Sequence, residues 1–146
     1  MNTPSITALE ATGRLLADQA SFHSSTAKVL LKNANHETYA EVVAQDVYEA
    51  LTEARSLDSK EASSVAVVSC GWAAPILGNK KDKLAPSEHP KRRRVCLVAV
   101  HDLSTGETVS TIRFEDDNEV IVNYGTAKGS LADALNKLAS SLLKKR

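Results

Sequence analysis

The sequence predicts a single α+β domain over residues 1–146. Three observations lead to this fold class: apolar residues recur at helical spacing in the first third, short β-branched runs fill the second half, and a leucine stripe ends the chain. With 146 residues and 42% hydrophobic content, the chain is large enough for one core. We expect N-terminal helices, a mainly antiparallel sheet of about four strands and a C-terminal helix packed on the sheet.

The chain begins with a predicted helix over about residues 4–20. Thr3 and Pro4 suit the cap and the first position of a helix. The apolar and small residues that follow recur at helical spacing: Ile6, Leu9, Gly13, Leu16 and Ala20. Because the stripe includes small residues, we expect this helix to pack closely against the rest of the fold.

Two further helices are predicted before residue 62. Ser24 and Ser25 are candidate caps for a short helix through 27–31, which would end at the turn-prone residues 33–35. A longer helix is predicted over 37–61, and its apolar stripe is Tyr39, Val43, Val47, Ala50, Leu51 and Ala54. This segment carries seven acidic residues against Arg55 and Lys60, which predicts an acidic outward face.

Four strands are predicted in the second half, over residues 64–70, 94–102, 108–114 and 120–124. Gly71 is expected to end the first of them. The strand 94–102 has apolar residues on both sides, which indicates burial on both faces of the sheet. Turn residues at 102–107 and 115–118 separate the last three strands, which we expect to form an antiparallel meander.

The last helix is predicted to begin at Ser130, which suits the cap position. Its apolar stripe is Leu131, Leu135, Leu138 and Leu142, so this helix is expected to cover one sheet face. The residues before it include Lys128 and Gly129, and a helix N-terminus with such neighbours is a possible anion site. Their order differs from that of a P-loop, so plain helix capping is the simpler interpretation.

Residues 72–94 are predicted to form a long basic loop. Prolines at 75, 86 and 90 discourage both helix and central strand, and loops of this length are usually functional or disordered. Its first part is apolar, with Trp72, Ile76 and Leu77. Its basic residues are Lys80, Lys81, Lys83, Lys91, Arg92, Arg93 and Arg94, against Asp82 and Glu88.

Three interpretations of this loop remain open. Its charges serve only solubility, or its arginines grip carboxylates of an acidic protein surface while Trp72 packs as an anchor, or its cations bind the phosphates of a nucleic acid. On an extended chain Arg92 and Arg94 share a face and Arg93 takes the opposite one. We therefore expect Arg92 and Arg94 to contribute more to partner binding than Arg93.

Patterns for catalysis and metal binding are weak. Cys70, with His89 and His101 as available bases, is a candidate nucleophile, although a buried inert thiol is the simpler interpretation. The spacing of these residues and Cys96 matches no structural zinc site, and Cys96 and His101 lie on opposite faces of one strand. Two cysteines without a CxxC pattern favour free thiols in a reducing cytoplasm. We expect no catalytic residues, no metal and no cofactor.

The 18 basic and 18 acidic residues cancel, so the chain has no net charge that would attract a partner as a whole. We therefore expect a charged partner to be recognised by a local patch. Residues 1–5 lack a signal-peptide pattern and the longest apolar run, 95–100, is too short to span a membrane, so we expect a cytoplasmic protein without membrane contact.

We predict a non-enzymatic macromolecular binding or regulatory protein that uses residues 72–94, with a homodimer through a sheet edge as an additional possibility. The alternatives are a nucleic-acid-binding protein using the same loop and, third, a small enzyme with Cys70 as nucleophile.

Overall fold

A computed structural model of the chain describes residues 4–73, 92–124 and 130–144. The elements of these residues are, in order, helix α1 (Pro4–Gln19), strands β1 (Ala27–Lys32) and β2 (Thr38–Ala44), helix α2 (Val47–Ala54), strands β3 (Ser64–Ala73), β4 (Arg93–Asp102), β5 (Thr108–Phe114) and β6 (Val120–Tyr124), and helix α3 (Ser130–Lys144). The described strands form one antiparallel sheet in the order β2-β1-β3-β4-β5-β6. The α+β class and the four predicted strands are confirmed, and two strands in the first third are added.

The predicted helix over 27–31 is wrong, because these residues form strand β1. This strand lies inside the sheet, hydrogen-bonded to β2 on one side and to β3 on the other. Val29 and Leu31 are buried on one face and Leu30 on the other. A strand that is buried on both faces loses the polar alternation by which a strand is told from a helix. The turn predicted at 33–35 is present, and it joins β1 to β2.

The predicted helix over 37–61 is also wrong over most of its length. Its first part is strand β2, in which Val42 and Val43 are β-branched and suit cross-strand pairing with β1. The helix that remains, α2, begins after Asp46, whose carboxylate accepts hydrogen bonds from the backbone N–H groups of Tyr48 and Glu49 at 2.8 and 3.1 Å. The acidic residues of this segment are therefore divided among a strand, a helix and turns, and they do not form one helix face.

Strand β3 continues past Gly71 to Ala73, so the prediction that Gly71 ends it is wrong. The β3–β4 ladder pairs each residue of 64–73 with one of 93–102. Trp72, Arg93 and Arg94 are consequently strand residues, not loop residues. The rest of the predicted loop, residues 74–91, lies outside the described part of the chain.

Helices pack on both faces of the sheet, which buries the central strand β4 on both sides as predicted. Helix α1 covers one face through Leu9 and Ala17, which pack against residues of β1, β3, β4 and β5. Helices α2 and α3 cover the other face, where Leu138 and Leu142 of the predicted stripe are fully buried. We refer to these as the α1 face and the α3 face.

The predicted turns between the last strands are confirmed in their backbone conformation. Gly106 has a φ of 77° in the β4–β5 turn, a value that glycine adopts without steric cost. Asn118 has a φ of 56° in the β5–β6 turn, where Asn is among the few side chains that tolerate the left-handed region. These turns set the register of the meander and so decide which strand residues share a face.

Candidate partner-binding site

One end of the β3–β4 ladder carries an indole ring with two guanidinium groups over it. Trp72 lies directly opposite Arg94 in the ladder, and directly opposed residues of an antiparallel pair share a face. The guanidinium carbon of Arg94 lies 4.2 Å from the centroid of the Trp72 ring, and that of Arg92 lies 4.8 Å from it. Both distances suit a cation–π interaction. We call Trp72, Arg92 and Arg94 the Trp72 cluster.

Arg93 lies on the α3 face and is paired with acids there. Its guanidinium packs over the Phe114 ring, 3.9 Å from the ring centroid. Its Nε and Nη2 donate to the two carboxylate oxygens of Asp116 at 2.8 and 2.7 Å, and Nη2 also donates to Asp117 at 3.1 Å. The hydrogen bond from Arg93 lowers the pKa of Asp116, and the same bond raises the pKa of Arg93. The predicted alternation of faces is thus present, and the charge of Arg93 is neutralised locally.

The end of helix α1 borders the Trp72 cluster. Nη1 of Arg94 donates to the carbonyl of Phe22 at 3.2 Å, which ties β4 to the segment after α1. Arg113 of β5 packs over the Phe22 ring at 4.6 Å and donates from Nη1 to the carbonyls of Ala17 and Asp18 at 3.0 and 3.1 Å. A cation at this position donates hydrogen bonds to carbonyl groups at the helix C-terminus, and it is attracted to the negative end of the helix dipole.

These contacts leave the site positively charged. Within the described ranges, no carboxylate lies within ion-pairing distance of Arg94 or Arg113, whereas Glu115 is paired with His23 at 2.7 Å. The partners of Arg94 and Arg113 are carbonyl oxygens, which carry no net charge. Arg92 is exposed, and Trp72 and Arg94 are half-buried. A ligand can therefore reach cationic and aromatic groups in one place.

The structure places only part of the predicted site. Trp72, Arg92 and Arg94 come together, and Arg93 is separated from them by the sheet. Four lysines predicted to bind a partner lie outside the described residues: Lys80, Lys81, Lys83 and Lys91. Of the possible anion site, Lys128 and Gly129 also lie outside them, and Ser130 is the first residue of α3.

Sequence patterns did not point to Phe22 or Arg113. Phe22 meets Arg94 across 72 residues, and Arg113 meets Ala17 across 96. The only local signal is the position of Arg113 on a predicted strand, where its face depends on the register. Tertiary packing of α1 on the sheet is what brings these residues to the site.

The expectation of free thiols is wrong, because Cys70 and Cys96 form a disulfide. The two residues lie directly opposite each other in the β3–β4 ladder, with their Cα atoms 4.1 Å apart. With both sulfurs in this bond, Cys70 has no thiolate to act as the predicted nucleophile. The cytoplasmic location stays a prediction without the support of free thiols.

Of the two candidate bases, His101 lies within the described residues and is buried on the α3 face, with 7% of its surface exposed. His89 lies outside the described residues. Its Nδ1 is hydrogen-bonded to Oγ1 of Thr108 at 2.7 Å. Burial lowers the pKa of His101, and the nearby carboxylate of Asp102 opposes this shift. His101 and Cys96 lie on opposite faces of the sheet, as predicted.

No protein-family model, curated protein or solved structure matches this chain. Within the described ranges, no helix is long and apolar enough to cross a membrane. The same residues contain no group of three or more His, Cys, Asp or Glu side chains that is arranged to hold a metal ion. The Trp72 cluster is therefore the feature on which a function can be proposed.

Proposed function

We propose that the protein is a non-enzymatic binding module that recognises an acidic protein surface through the Trp72 cluster. One observation supports this most directly: Arg92 and Arg94 both lie over Trp72 on one face, whereas Arg93 is engaged by Asp116 on the other. An acidic partner would meet two guanidinium groups and an indole ring together. Guanidinium groups bind carboxylates through paired hydrogen bonds, which favours this class of ligand.

The binding free energy would come mainly from Trp72. An exposed ion pair contributes roughly 0.2–1 kcal/mol, because water screens it and two long side chains must be ordered. An interfacial Trp that becomes fully desolvated contributes about 2 kcal/mol or more. The arginines would add orientation and a faster encounter with the acidic partner. Because both arginines already contact the indole ring, they have less conformational freedom to lose when a partner binds. This lowers the entropic cost of binding.

The sequence places more positive charge next to this cluster. Lys80, Lys81, Lys83 and Lys91 all lie in the connection between Trp72 and Arg92. Their charges add to the positive charge of this part of the chain, which favours long-range attraction to an acidic surface.

A second candidate function, binding of single-stranded nucleic acid, is supported by the combination of an indole ring with arginines at a sheet end. Successive bases stack on aromatic side chains in such proteins, while cations follow the phosphate backbone. The two candidates differ in their salt dependence. Release of counterions makes nucleic-acid affinity fall log-linearly with salt, and the slope reports the number of phosphates neutralised.

The test uses Trp72 emission, which reports the site directly because Trp72 is the single Trp of the chain. The protein is titrated with a poly-glutamate peptide of about 20 residues and, separately, with an oligo-dT of about 20 nucleotides, a length that exceeds typical single-strand site sizes. We expect saturable binding of the peptide. The variant R92Q/R94Q should bind it about tenfold more weakly, since both guanidinium contacts are lost.

A charge-matched control distinguishes binding at the Trp72 cluster from attraction by the overall charge of the protein. R14Q/R55Q removes the same two charges from exposed arginines of α1 and of the end of α2. We expect it, and R93Q, to bind nearly as the parent protein does. Equal loss in R92Q/R94Q and R14Q/R55Q would contradict a local site. Preference for the oligonucleotide with a steep salt slope would favour the second candidate instead.

A further inference from the structure

The α1 face contains a cavity beside the disulfide. Its volume is about 400 Å³, and it lies between the end of α1 and strands β1, β2 and β3. Polar side chains supply much of its wall, among them Ser21, Ser24, Thr26 and Lys28. Cys70 also lines it. A volume of this size accommodates a small polar molecule.

We propose that Cys70–Cys96 is a redox-active disulfide that exchanges with a small hydrophilic thiol of the glutathione class, which enters through this cavity. The proposal is independent of partner binding at the Trp72 cluster. It depends on the register of β3 and β4, on the unequal exposure of the two cysteine residues and on the charges around Cys96.

The two cysteines differ in access. Cys96 is fully buried, with 0% of its surface exposed, whereas Cys70 is half-buried and faces the cavity. An incoming thiolate can therefore reach Cys70 and not Cys96. Which sulfur is attacked decides the course of a thiol–disulfide exchange.

The strand order also gives the required direction of approach. A thiolate attacks a disulfide sulfur in line with the bond that breaks, so it must arrive from the side opposite to the leaving sulfur. Cys96 lies on β4, on one side of β3, and the cavity lies on the other side of β3, over β1 and β2. Among the described lining residues, none comes from β4 or β5. The cavity thus opens onto the reactive side of Cys70.

The leaving sulfur has cations on its own face. Cys96 is directly opposite Arg113 in the β4–β5 ladder, and Arg94 lies two residues before it on the same face of β4. Side chains in these positions are close neighbours. Positive charge stabilises a thiolate, so it makes Cys96 a better leaving group than burial alone would.

The exchange has two balanced steps. The sulfur of the incoming thiolate forms a bond to Sγ of Cys70, the Cys70–Cys96 bond breaks, and its electron pair stays on Sγ of Cys96, which then takes up a proton. A second thiolate attacks the sulfur of the small molecule in this mixed disulfide and releases Cys70, which is protonated in turn. Two small thiols are oxidised to one disulfide, and the protein disulfide is reduced to two thiols.

The ladder keeps the reduced cysteines in place. Strands β3 and β4 are paired along all ten residues of each, from Ser64 opposite Asp102 to Ala73 opposite Arg93. The hydrogen bonds of this ladder do not depend on the disulfide. The thiols would stay opposite each other, so oxidation can restore the bond without refolding.

The first test follows the wild-type protein with reduced glutathione at millimolar concentration. Samples are quenched with an alkylating reagent and mapped by mass spectrometry, and circular dichroism follows the fold. We expect reduction without denaturant, an unchanged spectrum and an intermediate with glutathione on Cys70. Glutathione on Cys96, or reduction only in denaturant, would overturn the proposal.

The second test compares C96S with C70S in their reaction with oxidised glutathione. We expect C96S to gain one glutathione at least about tenfold faster than C70S, because only Cys70 faces the cavity. Equal rates in two folded variants would overturn the proposal. If a variant does not fold, the mapping of the wild-type intermediate decides by itself.

A third variant tests the cavity as the route of entry. T26F in the C96S background places a larger side chain in the cavity wall, and T52F places the same side chain on an exposed position of α2. We expect T26F to slow the reaction with oxidised glutathione at least about fivefold, since it narrows the path to Cys70. T52F should leave the rate unchanged. Equal rates in both would show that the thiol reaches Cys70 by another route and would overturn the proposal.

Discussion

Helix α1 comes close to strand β5 at Gly13, where a Cβ atom would lie 2.7 Å from Oγ1 of Thr111. Thr111 is fully buried, and its Oγ1 has no hydrogen-bond partner among the described residues. Its β-branched side chain has few rotamers, and turning it places a methyl group where the hydroxyl was. We therefore expect Gly13→Ala to destabilise the protein, although alanine favours a helix more than glycine does.

The expected loss follows from two opposing free energies. Alanine in place of glycine inside a helix stabilises by about 1 kcal/mol. Forcing a methyl group into a packed interface costs about 1–3 kcal/mol. The net change in the free energy of unfolding should be a loss of about 1 kcal/mol, which combines these two contributions. In a Thr111→Ala background the clashing oxygen is absent, so Gly13→Ala should stabilise by about 1 kcal/mol.

Urea unfolding of the four proteins of this cycle, followed by circular dichroism, measures the coupling between the two positions. We expect a coupling of about 2 kcal/mol, well above the roughly 0.3–0.5 kcal/mol within which independent sites are additive. Ala11→Gly, on the exposed side of α1, measures the propensity contribution in the same helix and should cost about 1 kcal/mol. A coupling near zero, with Gly13→Ala stabilising in both backgrounds, would refute close packing at this point.

Two further predictions concern a buried histidine and a helix cap. Burial lowers the pKa of His101, so the unfolded chain binds a proton at this imidazole more tightly than the folded chain does. The stability that neutral His101 contributes is therefore present above about pH 6.5 and is lost as the pH falls below that value. Urea unfolding between pH 7 and pH 5 should therefore show a smaller loss of stability in His101→Gln than in the parent; an equal loss would contradict the assignment. Asp46→Ala should cost about 1 kcal/mol in the same assay, since it removes the acceptor of two α2 N–H groups, whereas Asp46→Asn should cost little. Equal losses in both Asp46 variants would count against capping.

The alternation of the three arginines could be predicted from the sequence because it depends only on local geometry. Successive side chains of an extended chain point to opposite faces, whatever lies around them. Arg92 and Arg94 accordingly lie over Trp72, and Arg93 lies over Phe114. The partners of each arginine could not be predicted in this way, since Phe22 and Asp116 are distant in sequence and reach the site through tertiary packing.

The disulfide could not be predicted from spacing. Cys70 and Cys96 are 26 residues apart, joined by a connection far longer than a hairpin turn. A tight turn determines the register of the strands on either side of it, and a long connection does not. The partner of each cysteine was thus decided by the whole β3–β4 ladder, which includes Trp72 and Ala73 beyond the predicted strand end.

The sequence by itself determined the elements whose signals are local. Strand β4 has an unbroken apolar run, α3 has a leucine stripe, and Gly106 and Asn118 supply the backbone conformations that their turns need. Tertiary structure decided the state of residues 27–44, where apolar residues occur at spacings that suit both helix and strand. Pairing of β1 with both β2 and β3 buries Val29 and Leu31 on one face and Leu30 on the other, which a short isolated helix cannot do. Long-range hydrogen bonds and burial therefore outweighed local propensity there.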